Sequence, residues 1–141
     1  MKIAMVCHPT HGGSGVIASE VGMRLAQKGH EVHFVSHERP FRLDPLTLGV
    51  HFHRVNVSSY PLFRYPPYAL ALANQLSRVI QDHDIDIIHA HYAIPHSLAG
   101  ILARNMNSDH NVKVVTTLHG TDITLVGADP SYTDITRWAM E

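Results

Sequence analysis

A glycine-rich turn near the N-terminus is the first stretch whose residue types could bind an anion. Gly12, Gly13, Ser14 and Gly15 follow a short apolar run and precede an amphipathic stretch. Backbone N–H groups at a helix start attract anions, and glycine lets an anion approach the backbone closely. Residues 13–18 fit the relaxed dinucleotide pattern G-x-G-x-x-A, a weak signal when it occurs alone. The turn therefore predicts either an anion site or a tight turn without a ligand.

Two further polar clusters follow apolar runs later in the chain. Residues 89–92 read His-Ala-His-Tyr, and residues 117–122 read Thr-Leu-His-Gly-Thr-Asp. Thr117 and His119 are two positions apart, so both face the same side if the extended geometry persists. Hydroxyl groups of serine, threonine and tyrosine can donate hydrogen bonds to carboxylates. A histidine at such a position can contact a sugar hydroxyl or act as a general acid or base.

The elements that must position these clusters alternate between strand and helix. Short apolar runs predict five strands, at residues 3–7, 31–36, 50–57, 85–90 and 112–118. This alternation predicts an α/β fold with a doubly wound, Rossmann-like parallel sheet in the strand order 3-2-1-4-5. Ligands bind such sheets beyond the carboxyl ends of the strands, where the strand order reverses. The three polar clusters follow strands one, four and five, so we expect them to meet in one crevice.

Helical periodicity predicts which side chains of the helices face the sheet. In the helix after Gly15 they are Ile17, Val21 and Leu25, with Ala18 and Gly22 beside them; after Pro67 they are Ala69, Leu72, Ala73, Leu76, Val79 and Ile80; between Ser97 and Asn107 they are Leu98, Ile101, Leu102 and Met106. A final helix is expected to begin near Ser131 or Asp134 and to be still running at Glu141.

Composition excludes several classes of protein. A chain of 141 residues fits one domain, and a formal charge of −1 argues against binding of nucleic acid through a basic face. No apolar run approaches the roughly 20 residues of a membrane-spanning helix, and the N-terminus reads as a strand instead of a signal peptide. The single cysteine, Cys7, rules out an internal disulfide framework, so we expect a buried thiol and a cytoplasmic protein.

Thirteen histidines are unusual for this length, but they are scattered. His51 and His53 are two apart, as are His89 and His91, so each pair would share one face of a strand. A metal site needs a third ligand at matched geometry. The histidines are therefore interpreted as polar loop ends and surface residues, and no metal site is predicted.

Six stretches resemble one enzyme family. They are GGSGVIASEVG (12–22), KGHEVHF (28–34), PFRL (40–43), YPPY (65–68), DIIHAHYAIPH (86–96) and TTLHGTDITLVGADPS (116–131). The chain resembles the N-terminal domain of the family 4 retaining glycosyltransferases of the GT-B fold. The HGTD motif marks the broad family. Together with HAHYAIPH and GGSG, it indicates the branch that uses malate as acceptor.

The resemblance implies a reaction and a set of site residues. N-acetylglucosamine would be transferred from UDP-N-acetylglucosamine to L-malate with retention, without a metal or other cofactor, as the first step of bacillithiol biosynthesis. Gly13 and Gly15 would lie near the donor diphosphate. Ser14, Tyr92 and Thr117, with Thr116 as an alternative to Thr117, would hold the malate. His119 would lie beside the donor sugar and the reacting centre, as the catalytic and donor-binding histidine.

The resemblance also implies a second domain. Residues 1–141 would form the acceptor-side Rossmann-like domain, and the donor-binding domain would be absent, so we expect this part alone to fold but not to catalyse transfer. Its partners would be small-molecule substrates, with no nucleic acid and no membrane, and a homo-oligomer is compatible with the sequence. Two alternatives stay open. One is a family 4 transferase with another acceptor, and the other is a stand-alone flavodoxin-like module that binds phosphate.

Overall fold

The computed structural model describes residues 1–44 and 46–141, which form one five-stranded parallel sheet with helices on both faces. The strands are β1 Lys2–Val6, β2 Glu31–Ser36, β3 Val50–Arg54, β4 Ile87–His91 and β5 Lys113–Thr117. The helices are α1 Gly13–Gln27, α2 Tyr68–His83, α3 Leu98–Met106 and α4 Thr133–Trp138, and irregular helical turns occupy Ala93–Ser97 and Asp122–Val126.

The sheet order is β3-β2-β1-β4-β5, with every neighbouring pair parallel. This confirms the predicted doubly wound α/β fold and its strand order. The order reverses beside β1, because the chain adds β2 and β3 on one side of β1 and then β4 and β5 on the other. Beyond the carboxyl ends of β1 and β4 lies the edge of the sheet where such folds bind ligands.

Two separate cores lie on the two faces of the sheet. On one face, α2 and α3 cover alternate residues of the strands, including Val6, Val35 and Ile88. The predicted inner face of α2 is confirmed for Leu72, Ala73, Leu76, Val79 and Ile80, while Ala69 is only half-buried. On the other face, α1 packs against Met5, Cys7, Val32 and Phe34. Cys7 is fully buried, as predicted, and burial raises the pKa of its thiol to about 12.

The face of α1 that meets the sheet agrees with the prediction at Ala18 and Gly22 and differs from it elsewhere. Its buried residues are all small: Gly15, Ala18, Ser19, Gly22 and Ala26. Ile17 is 46% exposed, so its predicted inward position is wrong, and Val21 and Leu25 are only half-buried. The large side chain at this contact comes from the sheet instead. The Phe34 ring fills the space above Gly22, where an added Cβ would lie 2.3 Å from Cζ.

The same arrangement recurs at α3, whose fully buried residues are Ala99, Gly100 and Ala103. A Cβ on Gly100 would lie 3.2 Å from Cγ2 of Ile88 on the sheet. Of the residues predicted to face inward, Leu98, Ile101 and Leu102 are half-buried and Met106 is 56% exposed, so the prediction for Met106 is wrong. Both helices therefore lie close to the sheet through small side chains.

Several boundaries also differ from the prediction, two of them by at least three residues. β3 ends at Arg54 instead of continuing to residue 57. α4 ends at Trp138, so a helix still running at Glu141 is wrong. Within residues 1–44 and 46–141, no helix combines the length and the apolar character that crossing a bilayer requires.

Candidate active site

Ring contacts at the carboxyl edge of the sheet join the loop after β1 to the polar clusters that follow β4 and β5. The loop after β1 carries His8, whose ring centroid lies 5.3 Å from that of Tyr92 and 4.3 Å from that of His96. Tyr92 in turn stacks on His119, with centroids 5.4 Å apart and planes inclined by 14°. The carboxyl ends of strands one, four and five therefore meet as predicted, and in these contacts strand one is represented by His8 instead of the glycine-rich turn.

The start of α1 supplies open backbone N–H groups to this edge. Gly12 caps the helix with extended geometry and without a side-chain hydrogen bond, and the first turn contains no acidic residue. The first N–H groups of a helix have no partner within it, so those of Gly13 and Ser14 are available to an anion. An added Cβ on Gly13 would have no atom within 4 Å, so the space beside it is open.

Gly15 has a different environment from Gly13. An added Cβ would lie 2.5 Å from the carbonyl oxygen of His8 and 2.6 Å from that of Thr10. Its N–H donates to the carbonyl of Gly12 at 3.1 Å. Gly15 is thus needed because the loop after β1 crosses directly over it. The donor-site role that the resemblance implies for Gly15 stays a prediction.

Two cross-strand hydrogen bonds order the side chains between β4 and β5. Nε2 of His89 lies 2.8 Å from Oγ1 of Thr117, and Nδ1 of His91 lies 2.9 Å from Nε2 of His119. Thr117 and His119 therefore share one face of the sheet, as their spacing predicts. Thr116 points to the opposite face, where its hydroxyl lies 2.8 Å from Oγ of Ser97.

Asp122 braces the ends of both strands. Its buried carboxylate accepts a hydrogen bond from the backbone N–H of His119 at 3.0 Å and from that of Ala93 at 3.3 Å. Gly120 has φ +86°, which lets the chain turn back so that the carboxylate reaches His119. This brace fixes the backbone that carries His119 relative to the turn after β4.

Tyr92 occupies an unusual backbone position at the end of β4. Its φ of 94° lies in a region that side chains other than glycine rarely adopt. Its N–H donates to the carbonyl of Thr117 at 3.0 Å, and its hydroxyl is hydrogen-bonded to Oγ1 of Thr121. These bonds hold the ring against His119. Such strain recurs at functional sites, where the surrounding structure enforces it.

Burial keeps the histidines behind the crevice neutral. Desolvation, followed by the repulsion of neighbouring histidines, lowers the pKa of His91 to about 3. Burial likewise lowers the pKa of His96 to about 3, and it lowers the pKa values of His8 and His89. At neutral pH these rings therefore act as hydrogen-bonding groups without charge.

The network indicates which nitrogen of a neutral His119 ring would carry the proton. Nε2 of His91 is buried and has no hydrogen-bond partner among the described residues. A buried N–H without a partner is rarer and costlier than a bare acceptor, so the proton of neutral His91 belongs on Nδ1. His91 then donates to Nε2 of His119. The neutral His119 ring consequently carries its proton on Nδ1, which makes that atom a hydrogen-bond donor.

Two cavities flank these residues. One of about 310 Å³ lies beside the crevice and is lined by His8, His37, Val57, Pro66 and Tyr68. A larger one of about 420 Å³ lies near Ser97, Thr116 and Trp138. The first adjoins the ring cluster through His8, so it is the one that can extend the candidate site. Burial raises the pKa of Tyr68 to about 12, so its phenol stays protonated.

Several residues of this network were not predicted from the sequence as individual site residues. They are His8, His91, His96 and Asp122. His91 and His96 are fully buried, which contradicts their interpretation as surface histidines. The signal that could have found His91 is its place at the carboxyl end of a strand next to the crevice. His96 carries no such signal, because its Nδ1–H reaches the carbonyl of His91 only through the turn 93–97.

Comparisons with known proteins extend these observations. The sequence model of Glycosyltransferase Family 4 matches residues 11–141. N-acetyl-alpha-D-glucosaminyl L-malate synthase of Bacillus anthracis is 48% identical over 141 residues, which is all of this chain and 37% of that protein. An uncharacterized glycosyltransferase of Methanocaldococcus jannaschii is 28% identical over 124 residues, or 86% of this chain and 33% of that protein. The chain thus spans about a third of the length of these relatives.

Solved structures show the same fold at low sequence identity. Sucrose-phosphate synthase of Thermosynechococcus elongatus superimposes with a TM-score of 0.66 at 16% identity, over 99% of this chain and 40% of that one. At this identity the likeness concerns the fold alone. It supports the Rossmann-like α/β architecture.

Proposed function

Because the chain belongs to glycosyltransferase family 4, we propose that it is the acceptor-side domain of a retaining transferase that moves N-acetylglucosamine from UDP-N-acetylglucosamine to L-malate. The observation that carries the proposal is the 48% identity, over the whole chain, to the malate synthase of Bacillus anthracis. We place the reaction at the first step of bacillithiol biosynthesis, in the cytoplasm. A second domain outside residues 1–141 would bind the nucleotide.

The acceptor would bind between the start of α1 and the end of β4. Malate carries two carboxylates, and the positive end of a helix dipole with open N–H groups favours such a charge. Ser14 lies in that first turn, and no hydrogen bond from its hydroxyl is seen among the described residues. Tyr92 and Thr117 would add hydroxyl groups on the facing side. Their bonds to Thr121 and His89 hold them in place before the acceptor arrives.

The transfer forms a bond between the malate hydroxyl oxygen and the anomeric carbon of the sugar, and it breaks the bond from that carbon to the diphosphate. Negative charge develops on the departing UDP. Open N–H groups near Gly13 would stabilise this charge, because fixed donors act most strongly where charge appears in the transition state. Gly15 would contribute by allowing the loop after β1 to lie close to the start of α1, where these N–H groups are.

His119 would act beside the sugar as a hydrogen-bond donor through Nδ1. Support comes from the hydrogen bond between Nδ1 of His91 and Nε2 of His119, at 2.9 Å, which leaves Nδ1 of His119 as the donor. Asp122 holds the backbone N–H of His119, so the ring is positioned before the substrate binds. A positioned group of this kind contributes typically about 10²–10⁴-fold when it transfers a proton, and less when it only donates a hydrogen bond.

The test is a UDP-release assay on the intact protein with three acids, namely L-malate, D-malate and succinate. L-malate should be glycosylated. Succinate has both carboxylates but no hydroxyl, so it should bind and inhibit without supporting release. His119→Ala should lower kcat for L-malate strongly, while His110→Ala, which removes a half-buried histidine outside the site, should not. Release that is faster with another acceptor would refute the malate assignment.

A further inference from the structure

A second group of histidines lies on the α2 side of the sheet, away from the crevice. We call it the edge histidine cluster: Glu31 and His33 of β2, His51 and His53 of the edge strand β3, and His83 at the end of α2. The helix that ends at His83 leads into the amino end of β4. The cluster is therefore separate from the carboxyl edge that carries the candidate active site.

Three of these side chains converge through their ring nitrogens. One nitrogen each of His33, His53 and His83 lies within 4.8 Å of the others. Nδ1 of His33 and Nε2 of His53 are 2.9 Å apart, and the centroid of the His83 ring lies 4.5 Å from that of His33 and 5.1 Å from that of His53. The three residues come from three different elements, so the sheet and α2 bring together what the sequence keeps apart.

A carboxylate fixes the orientation of the central ring. Oε1 of Glu31 lies 3.1 Å from Nε2 of His33. A carboxylate only accepts hydrogen bonds, so Nε2 of His33 carries the proton and Nδ1 presents its lone pair to the cluster. Hydrogen bonds of this kind orient histidines that bind metals and increase their basicity. The same Oε1 lies 3.4 Å from Nε2 of His51, which sits on the exposed side.

His33 and His53 are poorly suited to carry positive charge, because burial lowers the pKa of both rings. His33 is fully buried, and burial together with the three neighbouring histidines holds its pKa well below the usual range, at about 4. Neutral imidazole is the form that binds metal ions. Because Nδ1 of His33 accepts a hydrogen bond from Nε2 of His53 at 2.9 Å, an ion bound through both atoms needs His53 in its other tautomer, with the proton on Nδ1.

We propose that the edge histidine cluster binds one zinc-class divalent metal ion through Nδ1 of His33, Nε2 of His53 and one ring nitrogen of His83. Three histidines form a donor set that zinc accepts, with the fourth position left to water. Glu31 orients His33 and does not bind the ion. The ion would tie the edge strand β3 to β2 and to the end of α2, at a place separate from the candidate active site.

The experiment uses the purified chain, made without a polyhistidine tag and treated with a chelator. Zinc titrated by calorimetry should bind with one ion per chain and raise the melting temperature. Cobalt should give the visible absorption of a nitrogen-ligated ion in a four- or five-coordinate site. His53→Gln and His83→Gln should each weaken zinc binding at least tenfold. Both residues are only half-buried, so these variants should fold, which circular dichroism will check.

Three variants make the assignment specific. Glu31→Gln should weaken binding about tenfold or more while the stoichiometry stays at one, as expected for a residue that orients a ligand. His110→Gln, on a loop outside the cluster, should leave binding unchanged. His51→Gln should have little effect, because His51 is not among the three ligands.

Several results would overturn the proposal. One is the absence of saturable zinc binding at micromolar concentrations. Another is binding that survives both His53→Gln and His83→Gln, because the ion would then sit elsewhere, for example among the histidines of the crevice. A third is binding that is lost in His51→Gln but kept in His83→Gln, which would move the ion to Glu31, His33 and His51.

Discussion

Replacing Gly15 by alanine tests whether the loop after β1 holds the start of α1 in place. The new Cβ would lie 2.5 Å from the carbonyl oxygen of His8 and 2.6 Å from that of Thr10, whereas ordinary contact begins at 3.4 Å. Both atoms are backbone, so the loop itself must move by about 0.9 Å, the difference between 3.4 and 2.5 Å. Overpacking of this kind costs about 1–3 kcal/mol.

Gly13→Ala is the matched control, because its Cβ would have no atom within 4 Å. Both substitutions gain helix propensity, worth up to about 1 kcal/mol. The difference between the two variants therefore isolates the packing cost. We expect Gly15→Ala to be less stable than Gly13→Ala by about 1–3 kcal/mol, which is a few degrees in Tm per kcal/mol for a domain of this size.

Urea denaturation followed by circular dichroism would measure both free energies of unfolding. Because His8 contacts Tyr92 and His96, the displaced loop should also disturb the crevice. Gly15→Ala in the intact protein should therefore lose transfer activity even at temperatures where it is fully folded. Equal stability of the two alanine variants would refute this account of the loop.

Three further predictions concern single residues of the site. Ser14→Ala should raise KM for malate about 10- to 100-fold, from a lost hydrogen bond to a charged group worth about 1.5–3 kcal/mol, without changing the free energy of unfolding; an unchanged KM would remove the hydroxyl from the acceptor site. Asp122→Asn should lower the free energy of unfolding by about 1.5–3 kcal/mol and reduce kcat, because an amide cannot accept from both N–H donors; normal kcat would mean that the brace does not position His119. The pKa of His91 is lowered from 6.5 to about 3, so the unfolded chain binds more protons between these values, and the free energy of unfolding should fall as the pH drops below about 6.5. His91→Gln should reduce that pH dependence in thermal melts without removing it, because burial also lowers the pKa of His96 to about 3 and that of His33 to about 4.

The strands and their order could be predicted from the sequence because each strand is a short apolar run bounded by turn residues. Where the prediction failed, it assumed that large apolar residues on a helix face the core. Ile17 and Met106 are exposed because the sheet supplies the bulk, through Phe34 and Ile88, and leaves room only for small residues on the helices. Periodicity of apolar residues in one helix cannot reveal what the opposite layer contributes.

The candidate site, like the fold, could be predicted only in part from the sequence. The positions of Ser14, Tyr92, Thr117 and His119 follow from the ends of neighbouring strands, and the structure brings Tyr92, Thr117 and His119 into contact with one network. The residues that these side chains contact are brought to them only by the tertiary structure. Asp122 reaches back to the end of β4 only because the chain turns at Gly120, and His83 joins His33 and His53 only because α2 returns along the sheet.

The small residues beneath α1 determine how far the helix lies above the sheet. A change in that distance would also move the start of α1 at the carboxyl edge of the sheet. Gly22 lies about 10 Å along the helix from Gly15, at about 1.5 Å of rise per residue. A methyl group at Gly22 would press on the Phe34 ring and tilt α1 as a rigid lever. The N–H groups at its start would then shift although no residue near a substrate had changed. Natural variation among these small residues would thus be a means of tuning anion affinity from a distance, without altering the chemistry of the crevice.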